Sequence, residues 1–105
     1  MLAEITGPIY SRFREDLDFR ELLEDFVVSA RERRTSLEAS FAERSVQELG
    51  RQAHQIKGAG GGYGFDSLSQ VAALLEIACQ KPEPSIDEIG QLLNDVIDHL
   101  NRVAV

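Results

Sequence analysis

Two helical patterns meet at a glycine-rich turn in residues 45–76, SVQELGRQAHQIKGAGGGYGFDSLSQVAALLE. On both sides of the turn, apolar residues recur at the three- and four-residue spacing of an amphipathic helix. Residues 54–65 alone hold five of the eight glycines of the chain. Because an interior glycine destabilises a helix by about 1 kcal/mol relative to alanine, this concentration of glycines needs a physical reason.

The composition of the whole chain limits the fold and the partners. Of its 105 residues, 43% are hydrophobic and 28% charged, as in soluble globular proteins, so we expect one domain over residues 1–105. No apolar run approaches the roughly 20 residues of a membrane span, and the N-terminus lacks a signal-peptide pattern, so we expect a cytoplasmic protein. The net charge of −7 argues against nucleic acid and anionic membranes as partners.

Helical periodicity recurs in four blocks along the chain. The predicted helices begin near Phe19, Ser45, Asp66 and Ser85, and the first and third end near Ala42 and Gln80. Short loops make neighbouring helices antiparallel, which predicts an all-α, antiparallel up-and-down four-helix bundle. We also expect Pro8 to open a short extra N-terminal helix.

Capping boxes are predicted at three helix starts, because a side chain that can accept a hydrogen bond precedes a glutamate by three residues. The three pairs are Asp18 with Glu21, Ser45 with Glu48, and Ser85 with Glu88. The apolar stripes predict the core, which on the first helix includes Leu22, Leu23, Phe26, Val27, Ala30, Leu37 and Phe41. Tyr63 and Phe65 are expected to pack the turn after the second helix.

The second helix carries a histidine away from the core. His54 lies about 120° from the centre of the apolar arc, so we expect it on a solvent-facing flank. Lys57 lies at the edge of the arc, where its stem rests on the core and its ammonium reaches outward. The same flank carries Gln47, Gly50, Arg51, Gly58 and Gly61, which we expect to form the docking surface for a partner.

The helical wheel separates the glycines by role. Gly60 points inward, which predicts close approach of a neighbouring helix. Gly62 and Gly64 are expected to adopt the left-handed geometry of a helix end. Gly58 faces solvent, where a missing side chain is useful only if another surface must come close.

Several other readings of the chemistry fail or stay weak. The glycines fit neither the dinucleotide fingerprint nor the Walker phosphate loop, and the two histidines lack a metal-binding spacing. His99 is expected to be a boundary residue of the last helix. The basic run 31–34 is expected to be a solvated helix face, with a docking surface as the alternative. The single cysteine, Cys79, is expected in or beside the core.

The segment 53–65, AHQIKGAGGGYGF, followed by LSQVAALLE at 68–76, resembles the signature of histidine-containing phosphotransfer (HPt) domains of bacterial two-component phosphorelays. It is also similar to the related phosphotransfer domain of chemotaxis histidine kinases. The resemblance is close over roughly residues 50–76, and the four-helix pattern extends it over the rest of the chain.

The resemblance implies a phosphocarrier without catalytic activity of its own. His54 would accept a phosphoryl group on Nε2 from a receiver-domain aspartate or a histidine kinase and pass it to another receiver domain. Lys57 would neutralise phosphoryl oxygens, Gly58 would leave room for the receiver, and Glu76 would accept a hydrogen bond from Nδ1. The chain would need no cofactor, since the receiver brings Mg²⁺, and a monomer would suffice.

Two other functions are weighed against this one. A degenerate bundle could bind receivers or kinases without accepting phosphate, although the intact set of His54, Lys57 and Gly58 argues against it. A hydrolase or kinase is disfavoured because no second catalytic acid, nucleophile or nucleotide site accompanies the histidine.

Overall fold

Four helices pack together as a bundle in the computed structural model, which describes residues 7–105. The helices are α1 (Arg20–Ala42), α2 (Val46–Gly62), α3 (Asp66–Cys79) and α4 (Ile86–Arg102). Each helix contacts the next one in the chain, and α1 also contacts α4, which closes the ring. The predicted four-helix bundle is confirmed.

The core consists of the apolar stripes that the periodicity predicted. Its buried side chains are Leu23, Phe26, Ala30, Leu37, Leu49, Ala53, Ile56, Phe65, Leu68, Ala72, Leu75, Ala78, Ile89, Leu93, Val96, Leu100 and Val103. One predicted core residue, Leu22, is instead 45% exposed. It lies about 100° around α1 from Leu23, which puts it at the edge of the stripe.

Aromatic rings hold the α2–α3 turn against α1. The Phe26 ring lies 5.3 Å from the Phe65 ring and 5.1 Å from the Tyr63 ring, measured between centroids. Such ring pairs add stabilisation beyond the area that they bury. The turn that follows the glycine-rich end of α2 is therefore fixed in place, and the packing predicted for Tyr63 and Phe65 is confirmed.

The helix starts show which capping predictions were wrong. Helix α1 begins after a 3₁₀ turn, Leu17–Phe19, and its N-cap residue Phe19 makes no side-chain cap, so the predicted box of Asp18 with Glu21 does not form. The cause is that Asp16 accepts from the backbone N–H of Asp18 and caps the 3₁₀ turn instead.

The other two predicted boxes form in part or not at all. The Ser85 hydroxyl accepts from the backbone N–H of Glu88, but the Glu88 carboxylate bonds to Lys81. At Ser45 the side chain makes no cap, and Glu48 pairs with Arg51. In both cases the glutamate takes a charged partner, because a charge-assisted hydrogen bond is stronger than one to a neutral amide.

The N-terminal segment is not helical at Pro8, so the predicted extra helix is wrong. Residues Ile9–Tyr10 form a short strand that pairs in parallel with Val103–Ala104, after the end of α4. The side chain of Arg102 donates to the carbonyl of Gly7 and strengthens this junction. Two-residue strands are too short to show alternation in a sequence, and their pairing depends on contacts between distant parts of the chain.

Residues 1–6 lie outside the described part, and with them much of the segment on which the signal-peptide prediction rests. Within residues 7–105, none of the helices combines the length and the apolar character that crossing a membrane requires.

Candidate functional site

His54 lies in the middle of α2 with its ring directed away from the core. Its side chain is 65% exposed, as the helical wheel predicted. Its neighbours Ala53 and Ile56 are fully buried, so the helix is anchored on the core immediately beside the histidine. The ring is therefore accessible to a partner while its backbone is held rigidly.

A carboxylate from α3 contacts the histidine from the side. Glu76 Oε2 lies 2.7 Å from His54 Nδ1, and its other oxygen, Oε1, lies 2.6 Å from Lys57 Nζ. The Glu76 side chain is only 12% exposed, whereas that of Lys57 is 38% exposed. One carboxylate thus links the two side chains of α2 that the sequence singled out.

The electrostatics keep this carboxylate ionised. The hydrogen bond from Lys57 lowers the pKa of Glu76 below its usual value of 4.5, and the bond with His54 acts in the same direction. Burial opposes them by raising the pKa, but the net shift is downward. Glu76 is therefore a hydrogen-bond acceptor at neutral pH.

The carboxylate determines which nitrogen of His54 carries the hydrogen. An ionised carboxylate can only accept, so Nδ1 must donate to Glu76, and in the neutral ring Nε2 then holds the free lone pair. Within residues 7–105, Nε2 has no hydrogen-bond partner. In the neutral ring, the arrangement therefore presents the Nε2 lone pair to solvent as a nucleophile.

Close packing of α2 on α3 brings Glu76 to His54. A Cβ on Gly60 would lie 3.4 Å from Leu68, one on Gly50 would lie 3.2 Å from Cys79, and one on Gly61 would lie 3.4 Å from the Ser69 hydroxyl. The packing role predicted for Gly60 is confirmed. Gly50 and Gly61 have the same role, which a wheel of α2 alone could not reveal.

Ser69 fixes the two helices to each other near the site. Its hydroxyl donates to the backbone carbonyl of Lys57 over 2.8 Å. This bond lies where Gly61 leaves room for the hydroxyl. No sequence pattern singles out Ser69, although its spacing of seven residues before Glu76 puts both on one face of α3.

The end of α2 corrects one glycine prediction. Gly64 has φ of +82°, the left-handed conformation expected at a helix end. Gly62 is wrongly assigned to this role, since it has no positive φ and closes the last helical turn. The Schellman-type bond from Phe65 N to Gly60 O, at 2.8 Å, needs only Gly64 in the left-handed region.

Gly58 lies one turn after His54 on an open surface. A Cβ there would have no atom of another element within 4 Å in the described part of the chain. Packing thus gives no reason for glycine at this position, in contrast to Gly50, Gly60 and Gly61. Access for another protein surface, the reason suggested by the sequence, therefore stays a prediction for Gly58.

The N-terminal half of α2 forms a shallow depression beside the histidine. It has a volume of about 490 Å³, and its lining includes Gln47, Gly50, Arg51, His54, Glu76 and Cys79. Arg51 is held by Glu48 through two hydrogen bonds, which raise the pKa of Arg51 and lower that of Glu48. Its charge is therefore balanced within α2 rather than directed at His54.

The described residues around His54 form no metal-binding cluster, and the second histidine lies on another helix. Among residues 7–105, no group of three His, Cys, Asp or Glu side chains could hold a metal ion. His99 lies on α4, where its Nδ1 is 2.8 Å from the backbone oxygen of Asp95. Cys79 is half-buried beside the depression, and burial raises the pKa of its thiol.

Comparison with known families identifies the domain. The family model described as Hpt domain matches residues 21–103, most of the chain, so the chain belongs to the Hpt domain family. No curated protein and no solved structure matched. Hpt domains are phosphotransfer intermediates in phosphorelays, which interact with receiver domains and kinases and are not autonomous enzymes.

Proposed function

We propose that this Hpt domain carries its phosphoryl group on Nε2 of His54. The observation that carries the proposal is the 2.7 Å contact between His54 Nδ1 and Glu76, on a ring that is 65% exposed. The group would come from the phosphoaspartate of a receiver domain or from a histidine kinase, and it would leave to another receiver domain.

The transfer step follows from the state of the ring. The Nε2 lone pair attacks phosphorus, and the Nε2–P bond forms as the bond between phosphorus and the aspartate oxygen breaks. The electron pair of the broken bond leaves on the aspartate carboxylate. Nδ1 keeps its hydrogen, so the ring becomes cationic, and the Glu76 carboxylate stabilises that charge. The return transfer reverses each of these changes.

Lys57 has a second role in the proposal. Its ammonium donates to Glu76 Oε1 and has two further hydrogens. Those hydrogens can bond phosphoryl oxygens once the group is on His54, which compensates for the negative charge that arrives. Lys57 thus positions the carboxylate before transfer and stabilises the phosphoryl group after it.

The partner must come close to the helix itself. Gly58 leaves bare backbone one turn from His54, which lets the rim of a receiver active site approach the ring. We expect the receiver to bring Mg²⁺ and its own acidic residues, and we expect Gln47, Gly50, Arg51 and Gly61 to lie under it. A cytoplasmic monomer suffices for this reaction.

The test is transfer of labelled phosphate from phosphorylated receiver domains of the source organism to the purified chain. We expect an acid-labile, base-stable label on the wild-type chain and none on His54→Gln. If no receiver labels the wild-type chain, the proposed function is wrong. Binding of a receiver without any label would instead support the binding-module alternative.

A second test addresses Glu76 as a positioning residue. Glu76→Ala removes the acceptor, so the Nδ1–H tautomer should lose its preference and transfer should slow about tenfold. Glu76→Gln keeps an oxygen that can accept from Nδ1 and should restore most of the tautomer preference. Nitrogen-15 NMR of the imidazole reads the tautomer directly, and a purely structural role for Glu76 would leave that spectrum unchanged.

A further inference from the structure

A second depression lies on the other side of α2, between α1 and α2. Its volume is about 280 Å³, and its lining includes Arg33 from α1 and Arg51, Gln52 and Gln55 from α2. Most of its lining side chains are polar or charged. A cleft of this size holds one side chain of a partner together with a few water molecules.

Arg33 is the unusual residue of this cleft. In the described residues no carboxylate lies within 4 Å of its guanidinium, whereas the two cations of the neighbouring α2 face, Arg51 and Lys57, are both paired. Glu32, which directly precedes Arg33 in the chain, also lines the cleft but makes no ion pair with Arg33. In the described residues, the cleft therefore contains a cation without a direct ion-pair partner.

The Arg33 side chain is also held in place. Its guanidinium carbon lies 5.7 Å from the centroid of the Phe26 ring, and its Nε donates to the Ser29 hydroxyl over 3.4 Å. The residue is half-buried, so part of its stem packs against the protein. A cation that is already ordered loses less conformational entropy when it binds an anion.

The cleft is continuous with the surface around His54. Arg51 lines both this cleft and the depression that contains His54, and Gln55 directly follows the histidine in the sequence. A protein partner of standard size covers about 800 Å² and 20–30 residues on each side of an interface. A receiver domain that binds over His54 and Gly58 and also contacts α1 therefore covers the cleft.

We propose that the α1–α2 cleft is a docking subsite for an acidic side chain, aspartate or glutamate, on the surface of the receiver domain. Arg33 pairs with that carboxylate and helps to determine which receivers exchange phosphate with His54. The argument is charge complementarity: Arg33 offers an ordered guanidinium without an ion-pair partner in the described residues, and on a chain of net charge −7 an acidic side chain of a partner is attracted only where such a cation lies. The proposal rests on the proposed function.

Charge reversal with a matched control tests the subsite. We compare Arg33→Glu with Arg31→Glu, which changes the net charge equally but lies about 200° around α1, beside α4. The probe is the phosphorylated receiver domain of the source organism that transfers fastest to the wild-type chain. We expect Arg33→Glu to lower kcat/KM for transfer at least about tenfold, through KM, and Arg31→Glu to change it less than about twofold.

Four further measurements separate the possible outcomes. Circular dichroism checks folding, and Arg33→Gln, which can keep its stem over Phe26, should still lower kcat/KM about threefold if Arg33→Glu perturbs the fold. Labelling of His54 by phosphoramidate, a small donor that needs no docking, should be the same in all variants. Finally, replacing the contacting acid of the receiver by arginine should restore transfer to Arg33→Glu.

Two results overturn the subsite. The first is equal transfer to the wild type, Arg33→Glu and Arg33→Gln, and the second is an equal loss in Arg33→Glu and Arg31→Glu, which would indicate long-range steering only. Both leave phosphotransfer through His54 intact. If instead no receiver labels the wild-type chain, both the proposed function and the subsite are wrong.

Discussion

The two histidines of the chain make the same kind of hydrogen bond and differ in what surrounds them. His54 Nδ1 contacts the Glu76 carboxylate of another helix at 2.7 Å, whereas His99 Nδ1 contacts the backbone oxygen of Asp95, on its own helix, at 2.8 Å. Both partners fix a hydrogen on Nδ1 and leave Nε2 free. Orientation of the ring is therefore not what distinguishes them.

The difference lies in charge and access. A carboxylate stabilises a cationic ring more than a neutral carbonyl does, and only Glu76 is also bonded to a lysine. His54 is followed by the bare surface at Gly58, whereas His99 is half-buried beside the ion pair of Asp98 with Arg102. Under the proposed function, His54 can accept the phosphoryl group because it has the charged support and the open approach that His99 lacks.

The largest expected effect comes from exchanging the histidines one at a time. His54→Gln should lower labelling by a phosphorylated receiver at least about 100-fold, because the nucleophile is lost. His99→Gln should stay within about twofold of the wild type. A clear loss of labelling in His99→Gln, with the helical circular dichroism signal intact, would show that His99 also takes part in transfer.

Access is tested next by filling the bare surface. Gly58→Glu should slow transfer about 30-fold, since a bulky anion there obstructs a receiver and repels its acidic pocket. Gly62→Glu makes the same change at an equally open position about 12 Å from His54 along the helix and should have a smaller effect. Transfer to Gly58→Glu at the wild-type rate would remove Gly58 from the contact.

A small side chain at the same position should change stability rather than access. Gly58→Ala should raise the free energy of unfolding by about 1 kcal/mol, because alanine favours the helix and its methyl group meets open space. Gly50→Ala should be less stable than Gly58→Ala, since its Cβ would lie 3.2 Å from that of Cys79, which would have to shift. Urea denaturation measures both. Equal effects would mean that the two glycines have the same role.

The smallest effect concerns the ion pair beneath His54. The lowered pKa of Glu76 stabilises the fold above its unfolded value, near 4.5, and this contribution is lost as the pH falls through the folded value. Lys57→Met removes the main cause, so the variant should be less stable than the wild type by about 0.5–1 kcal/mol at pH 7. The difference should shrink below pH 4.5. A difference independent of pH would indicate lost packing instead.

Much of the fold was predictable because it depends on local patterns. The apolar stripes gave the four helices with ends within a residue or two, and the exposure of His54 followed from its angle on α2. The wrong predictions concern residues whose side chain or backbone bonds to a partner that the local sequence pattern does not indicate. Glu48 pairs with Arg51 rather than completing a cap, and the segment after Pro8 pairs with Val103–Ala104.

The site was predictable only in outline for a similar reason. The sequence singled out His54, Lys57 and Gly58 on α2 by their spacing, and Glu76 only through the family resemblance. The bond of Lys57 to Glu76 and the role of Ser69 depend on how closely α3 approaches α2. The sequence pattern of a single helix does not predict the distance between α2 and α3, so these contacts could be found only in the structure.

The position of the phosphoryl group tests the account most directly. Nitrogen-15 and phosphorus-31 NMR of the phosphorylated chain, with labelled histidine, identifies the nitrogen bonded to phosphorus and the residue that carries it. We predict a single phosphohistidine at Nε2 of His54, with the Nδ1 hydrogen retained beside Glu76. Phosphorylation at Nδ1 of His54, or on any other residue, would contradict the account.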